Sequence, residues 1–151
     1  MHLDNKVLIR TMVIQLFKSS KWCYSHGCSH LGKLFDNLIK LTCAADISGR
    51  TSIGKNISFS HFGMGIIIHP DAVIGDNCII NAKVTIGNRY PHPGAPIIGD
   101  NVYIGIGAYV GGSVKIGDNV RIGAMSVVLN DVPSNCTVVG NPARIIKNDK
   151  G

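Results

Sequence analysis

Six histidines and five cysteines are the side chains of this sequence with the most obvious chemistry, and their spacing limits what that chemistry can be. Imidazole titrates near neutral pH, so it can move a proton or ligate a metal. Three histidines around zinc would need a closely spaced pair, and His61, His69 and His92 contain none. Cys23 and Cys28, with four residues between them, lack a second pair to complete a site, so no metal is expected. An odd number of cysteines without paired spacing points to a reducing compartment. His69 precedes Pro70 at a turn and reads as structural. His61 lies beside Gly63 and Gly65, and His92 lies between Pro91 and Pro93, so both sit in segments shaped by special backbone.

The elements that must position these residues come from an internal repeat. Stepping by six gives Ile47, Ile53 and Phe59, then Ile68, Ile74, Ile80 and Ile86, then Ile98, Ile104, Val110, Ile116, Ile122 and Val128. Four residues after many of these stands a small residue: Cys78, Val84, Val102, Ala108, Val114, Val120, Ser126, Val132. Cys78 therefore fills a corner and is not expected to be a nucleophile; nor is Cys136. Gly follows the aliphatic in Ile74-Gly75, Ile98-Gly99 and Ile116-Gly117, and Asp-Asn follows in Asp76-Asn77, Asp100-Asn101 and Asp118-Asn119. A period of six fits neither a helix nor a flat strand, and this much glycine would ruin a helix. Each hexad reads as one short strand and one sharp turn, with Gly, Asn and Asp taking the positive φ such turns demand. Three hexads close a triangular coil, and coils stack about 4.8 Å apart. The expected fold is all-β: a left-handed parallel β-helix of roughly four coils with a short N-terminal helical cap.

Two insertions break the register, one between Phe59 and Ile68 that contains His61, the other from Asn88 to Ile97 that contains His92. Repeat folds place function in such excursions. Before the hexads, Leu31, Leu34, Phe35, Leu38 and Ile39 follow helical spacing, and Val7 to Phe17 reads as a second helix, with Ser25 to Ser29 as the break. The expected organisation is a helical segment over 1–44, the β-helix over 45–132 with a loop at 88–97, and a C-terminal extension over 133–151, where Pro133 and Pro142 end regular hexads.

The formal charge of +6 favours an anionic ligand or surface. Lys and Arg are scattered without runs or interleaved aromatics, so no nucleic-acid partner is expected. Lys6, Arg10, Lys18, Lys21, Lys33 and Lys40 outnumber Asp4 and Asp36 in the helical segment. These helices are read as closing the open end of the β-helix, with peripheral membrane contact as the sharper alternative. No signal-peptide pattern is visible, so a cytoplasmic location is expected.

Three segments resemble the hexapeptide-repeat acyltransferases, and most closely the serine acetyltransferase family with the related colanic-acid-type polysaccharide acetyltransferases. They are Ala45-Asp46-Ile47, Ser60-His61 with Gly63 and Gly65, and Ile122-Gly123-Ala124-Met125-Ser126-Val127-Val128 running to Val138-Val139-Gly140-Asn141-Pro142-Ala143-Arg144. The resemblance covers about Leu31 to Lys147, and Asp46 precedes His61 by the family's fifteen residues. It implies a homotrimer with acetyl-CoA as co-substrate in the groove between adjacent shafts. It also implies that His61 is the general base on an acceptor hydroxyl and Asp46 the carboxylate that orients it. That pairing is chemically sound, because a hydroxyl must lose its proton as it attacks a thioester. Gly63 and Gly65 could bare backbone N–H groups toward the oxyanion. Gly87, Gly105, Gly107, Gly123 and Ala124 are the implied cofactor-binding positions, with Arg144 and Lys147 toward the phosphates. Ser60 and His92 are the candidates for contact with the acceptor.

The departures shift the expected acceptor. Ser60 stands where the serine enzymes carry Asp, and Gly94-Ala95-Pro96 stands where they carry Arg-His-Pro. The expectation is therefore an O-acetyltransferase acting on a sugar or surface-polysaccharide precursor, with serine O-acetyltransferase as the alternative. A zinc hydratase of the carbonic anhydrase type, also a left-handed β-helix, is the second alternative and leaves Asp46 unexplained.

Overall fold

The computed structural model describes residues 4–91 and 93–148. Fourteen of its fifteen strands run in parallel coils around one core, and two helices precede them. Numbering strands along the chain, the first face is β1 (Asp46–Ile47), β4 (Ile67–Ile68), β7 (Thr85–Gly87), β10 (Tyr109–Gly111) and β13 (Val127–Val128). The second is β2 (Ser52–Ile53), β5 (Val73–Ile74), β8 (Ile97–Ile98) and β11 (Lys115–Ile116). The third is β3 (Ser58–Phe59), β6 (Ile79–Ile80), β9 (Tyr103–Ile104), β12 (Arg121–Ile122) and β14 (Cys136–Gly140), with β15 (Ala143–Asn148) returning antiparallel along β14. Four complete coils result, and the bridge from Ile116 to Val132 carries a further turn round to β14. The expected left-handed β-helix of about four coils is what the chain forms.

The six-residue step explains the core directly. Each aliphatic of the series, Ile47 through Val128, points inward and is buried, and the corner residues Cys78, Val84, Val102, Ala108, Val120 and Ser126 are buried behind them. Burying each Ile contributes roughly 1.5–3 kcal/mol. The register is kept across both insertions, since Ile47, Ile68, Ile86, Val110 and Val128 stack in line.

The corners have their own chemistry. Between the second and third faces, Asn56, Asn77, Asn101, Asn119 and Asn135 all take positive φ and stack in one column. Beside them runs a carboxylate ladder. Asp76 accepts the Lys55 N–H at 2.7 Å, Asp100 accepts that of Asp76 at 2.7 Å, and Asp118 accepts that of Asp100 at 2.8 Å. Ser134 ends the ladder by accepting the Asp118 N–H at 3.0 Å. Gly54, Gly75 and Gly99 are required here, because a Cβ at each would collide with the carboxylate of the next coil.

Helices α1 (Asp4–Ser25) and α2 (Ser29–Cys43) form a hairpin over the first coil. Val13, Phe17, Ile39 and Cys43 join the same core as Ile47, Ile53 and Phe59. Asp36 ties the parts together: Ser20 and Tyr24 of α1 donate to it at 2.6 and 2.9 Å, and Ser48 and the Gly49 N–H of the first coil at 2.9 and 3.0 Å. The buried face of α2 differs from the one its leucine periodicity predicts. Gly32, Ile39 and Cys43 are buried, while Leu31 and Leu34 face outward. Gly32 lets the Tyr24 ring lie directly against the α2 backbone, where a Cβ would come within 2.8 Å of it. That close approach fixes which side of the helix faces inward.

Candidate active site

The insertion holding His61 forms a tight 3-10 turn, Ser60–Gly63, at the corner between the third and first faces. Its backbone is unusual. His61 (φ 51°), Phe62 (φ 62°) and Gly63 (φ 72°) are consecutive left-handed residues. A non-glycine residue there costs on the order of 1–3 kcal/mol and persists only where its surroundings dictate it. They do so here. The Met64 N–H donates to the His61 carbonyl at 3.2 Å and the Ile66 N–H to the Gly63 carbonyl at 3.1 Å. The Gly65 N–H reaches the Ala44 carbonyl at 3.2 Å, and the Lys83 N–H reaches that of Met64 at 2.8 Å. Phe59 and Val13 close over Gly63. The result is an exposed imidazole on a rigid turn, with no hydrogen-bond partner among the described residues. Ser60, at the start of the turn, is half-buried beside it.

Asp46 opens β1, pairs in register with Ile67 and faces outward. Its backbone N–H donates to the Ile66 carbonyl at 2.7 Å, so it is anchored to the end of the same insertion. Its carboxylate is paired with Lys40 of α2, Nζ to Oδ1 3.0 Å. Both side chains are about half exposed, and a pair so exposed contributes about 0–1 kcal/mol and can be exchanged. Spacing alone did not reveal Lys40. Its signal is a basic residue in the last helical turn just before the left-handed cap at Ala44.

The expected cofactor positions separate into three groups. Gly105, Gly107, Gly123 and Ala124 lie on the His61 corner, in successive coils. A Cβ on Gly105 would strike the backbone of Gly123 and Ala124, and one on Gly107 would strike the Met125 sulfur. These glycines let the coils stack closely at this corner, where the Met125 side chain lies over Gly107 and the exposed side chains of Lys83, Ile106 and Met125 project. Gly87 is elsewhere: it ends β7, pairs with Gly111 and opens the second insertion. Arg144 and Lys147 are exposed on β15, opposite Val139 and Thr137.

The second insertion folds at the corner between the first and second faces. Tyr109 donates to the Asn88 carbonyl at 2.6 Å and Ser113 to that of Pro93 at 3.0 Å. Ala95 packs on the core, and Tyr90 is exposed at the tip. His92 lies outside the described residues. In one chain the two insertions thus occupy opposite edges of the first face, and the width of that sheet separates the His61 turn from the loop after Gly87. Among the described residues no cluster of His, Cys, Asp or Glu could hold a metal.

The architecture is a parallel β-helix of hexapeptide repeats with an exposed histidine at one corner, and residues 95–130 match the family model "Bacterial transferase hexapeptide (six repeats)". Over most of its length the chain is similar to the serine acetyltransferases. It is 42% identical over 127 residues to the serine acetyltransferase of Synechococcus elongatus, covering 83% of this chain and 52% of that protein. The soybean enzyme complexed with serine superposes with a TM-score of 0.83 at 38% identity, over 89% of this chain and 56% of that one. A serine acetyltransferase in complex with CoA gives 0.82 at 32% identity, over 89% and 55%. The chain thus spans about half the length of the relatives it matches.

Proposed function

We propose that this chain transfers an acetyl group from acetyl-CoA to the hydroxyl of a small acceptor, and that serine is the acceptor the observations favour. The sequence alone pointed to a sugar hydroxyl. The 42% identity to a serine acetyltransferase supports serine better, and it is the observation that carries this reading. The sugar acceptor keeps one specific support: Gly94-Ala95-Pro96 offers no cationic side chain where the serine enzymes carry Arg-His-Pro.

In this reading His61 takes the proton as the acceptor oxygen attacks the thioester carbonyl. Acetyl-CoA supplies the acyl group and the thiol leaving group. The hydrogen-bonded left-handed turn fixes the backbone that carries the imidazole, which lowers the cost of ordering the base. Asp46 stabilises the imidazolium once it exchanges Lys40 for His61. The small residues Gly105, Gly107, Gly123 and Ala124 are where an extended pantetheine arm would approach the backbone of this corner once the exposed Met125 side chain moves off Gly107, and Arg144 and Lys147 would answer its phosphates. Because the two insertions sit on opposite edges of one face, a loop from a neighbouring copy is what would complete the acceptor pocket. That is the support for a homotrimer. A cytoplasmic location fits an acetyl-CoA-dependent reaction.

The test is thiol release from acetyl-CoA with serine, free sugars and nucleotide sugars as acceptors. Serine-dependent release well above the others is expected. Release with sugars alone would return the acceptor to the polysaccharide class, and release with none would overturn the assignment.

A further inference from the structure

Among the Lys and Arg side chains described, Arg89 alone is not exposed. It stands in the second insertion, half-buried, and makes no hydrogen bond or ion pair with any described residue. A guanidinium held partly out of water without a partner is costly, and an anionic ligand would offset that cost. The fold holds it there. Its stem lies over Gly112 (φ 90°), where an added Cβ would come 3.5 Å from the Arg89 Cβ. The Gly112 N–H donates to the Gly87 carbonyl at 2.9 Å, which sets that turn against the start of the insertion. The insertion is pinned on both sides of Arg89, since Tyr109 donates to the Asn88 carbonyl and Ser113 to that of Pro93.

Charge selects the kind of anion. Arg89 lines a groove of about 570 Å³ whose one other charged residue is Asp131, two coils further along the same corner. Asp131 Oδ1 accepts the Lys115 N–H at 2.8 Å, and its carboxylate pairs with no cation among the described residues, Arg89 included. The groove therefore carries one free cation and one free carboxylate, and its charge sums to zero. The phosphates of a cofactor would meet repulsion from Asp131, and a neutral sugar would leave both charges unanswered. An α-amino acid answers both. Its carboxylate fits the guanidinium fork, and its ammonium group fits the acid.

We infer that Arg89 receives the carboxylate of an amino-acid acceptor and Asp131 its ammonium group, so that this chain recognises the acceptor through residues other than Ser60 and Gly94-Ala95-Pro96. The inference rests on the reading of serine as acceptor and of a neighbouring copy's loop as the rest of the pocket. The test is steady-state acetyl transfer to serine and to serinamide, which lacks the carboxylate, by the wild type, Arg89→Gln, Arg89→Lys and Asp131→Asn. Gln keeps the stem over Gly112, and Asn keeps an acceptor for the Lys115 N–H. Arg89→Gln should raise the KM for serine roughly ten- to hundredfold and leave that for acetyl-CoA unchanged. It should also erase the wild type's preference for serine over serinamide, and Arg89→Lys should recover part of both. Asp131→Asn should raise the KM for both acceptors, because both carry the ammonium group. Should Arg89→Gln melt early, the serine-to-serinamide ratio of Arg89→Lys carries the test. A wild type that acetylates serine while Arg89→Gln keeps its KM and its preference would overturn this inference alone. A raised KM for acetyl-CoA in place of serine would assign Arg89 to the cofactor and overturn it as well. A wild type that does not acetylate serine would overturn the acceptor reading, and this inference with it.

Discussion

Lys40 Nζ lies 3.0 Å from Asp46 Oδ1, so the last turn of α2 holds the carboxylate that the proposed chemistry assigns to His61. The pair is half exposed and weak, which makes it a resting partner for Asp46. Lys40→Met should therefore change unfolding free energy by less than about 1 kcal/mol in denaturant titrations. Asp46→Asn should lower kcat clearly more than Lys40→Met does. The reverse order would mean that the lysine, and not the carboxylate, serves the reaction.

Asp36 should matter far more to stability. Its replacement by Ala strips partners from Ser20, Tyr24, Ser48 and Gly49 at once. Hydrogen bonds to a charged group contribute about 1.5–3 kcal/mol each, so a loss of at least that size is expected in chemical denaturation. Burial, reinforced by the Asp36 carboxylate, holds the Tyr24 hydroxyl above its ordinary value of 10.0. A raised pKa means the folded state keeps its proton more tightly. That contribution is complete below the ordinary tyrosine pKa and is lost as pH climbs through the folded value. Tyr24→Phe should flatten the alkaline limb of a stability–pH profile.

Two glycine substitutions separate fold from function. Gly99→Ala drives a methyl into Asp118 and the Gly117 backbone and should cost about 1–3 kcal/mol. Gly87→Ala meets only the Thr85 methyl, at 3.9 Å, so it should fold normally. A normal melting temperature with a raised KM for acetyl-CoA would support Gly87 as a cofactor position. An unchanged KM would remove it from the site.

The thiols should divide sharply. Cys28 is exposed, while Cys23, Cys43, Cys78 and Cys136 are buried. Burial also raises the Cys78 thiol pKa, which keeps it protonated and unreactive. Mass spectrometry after brief alkylation should find Cys28 modified and Cys78 untouched until denaturant is added. Early labelling of Cys78 would mean that the shaft opens locally.

The shaft was legible because a six-residue period with inward Ile and Val matches no other regular structure. Ile47 to Val128 read off the sequence as they stack in the fold. The His61 insertion was legible for the same reason, as a break in that period. The faces of α2 were not. Leu31, Leu34 and Leu38 satisfy helical spacing as well as Gly32 and Ile39 do, and the choice depends on how closely Tyr24 can approach Gly32. Lys40 and the Asp36 hub escaped for a related reason: each joins elements whose relative placement only the folded chain sets. For the acceptor, similarity over the rest of the chain favours serine, while Ser60 and Gly94-Ala95-Pro96 favour a sugar hydroxyl, and the two signals sit in different residues.

The account turns on His61, and one pair of measurements tests it most directly: steady-state acetyl transfer and CoA binding for His61→Ala. The side chain is exposed and bonded to nothing among the described residues, so its removal should leave the melting temperature unchanged. The prediction is a fall of roughly 10²–10⁴ in kcat, with CoA affinity close to that of the wild type. A variant that keeps most of its kcat would contradict the assignment of His61 as the base, and with it the role proposed for Asp46.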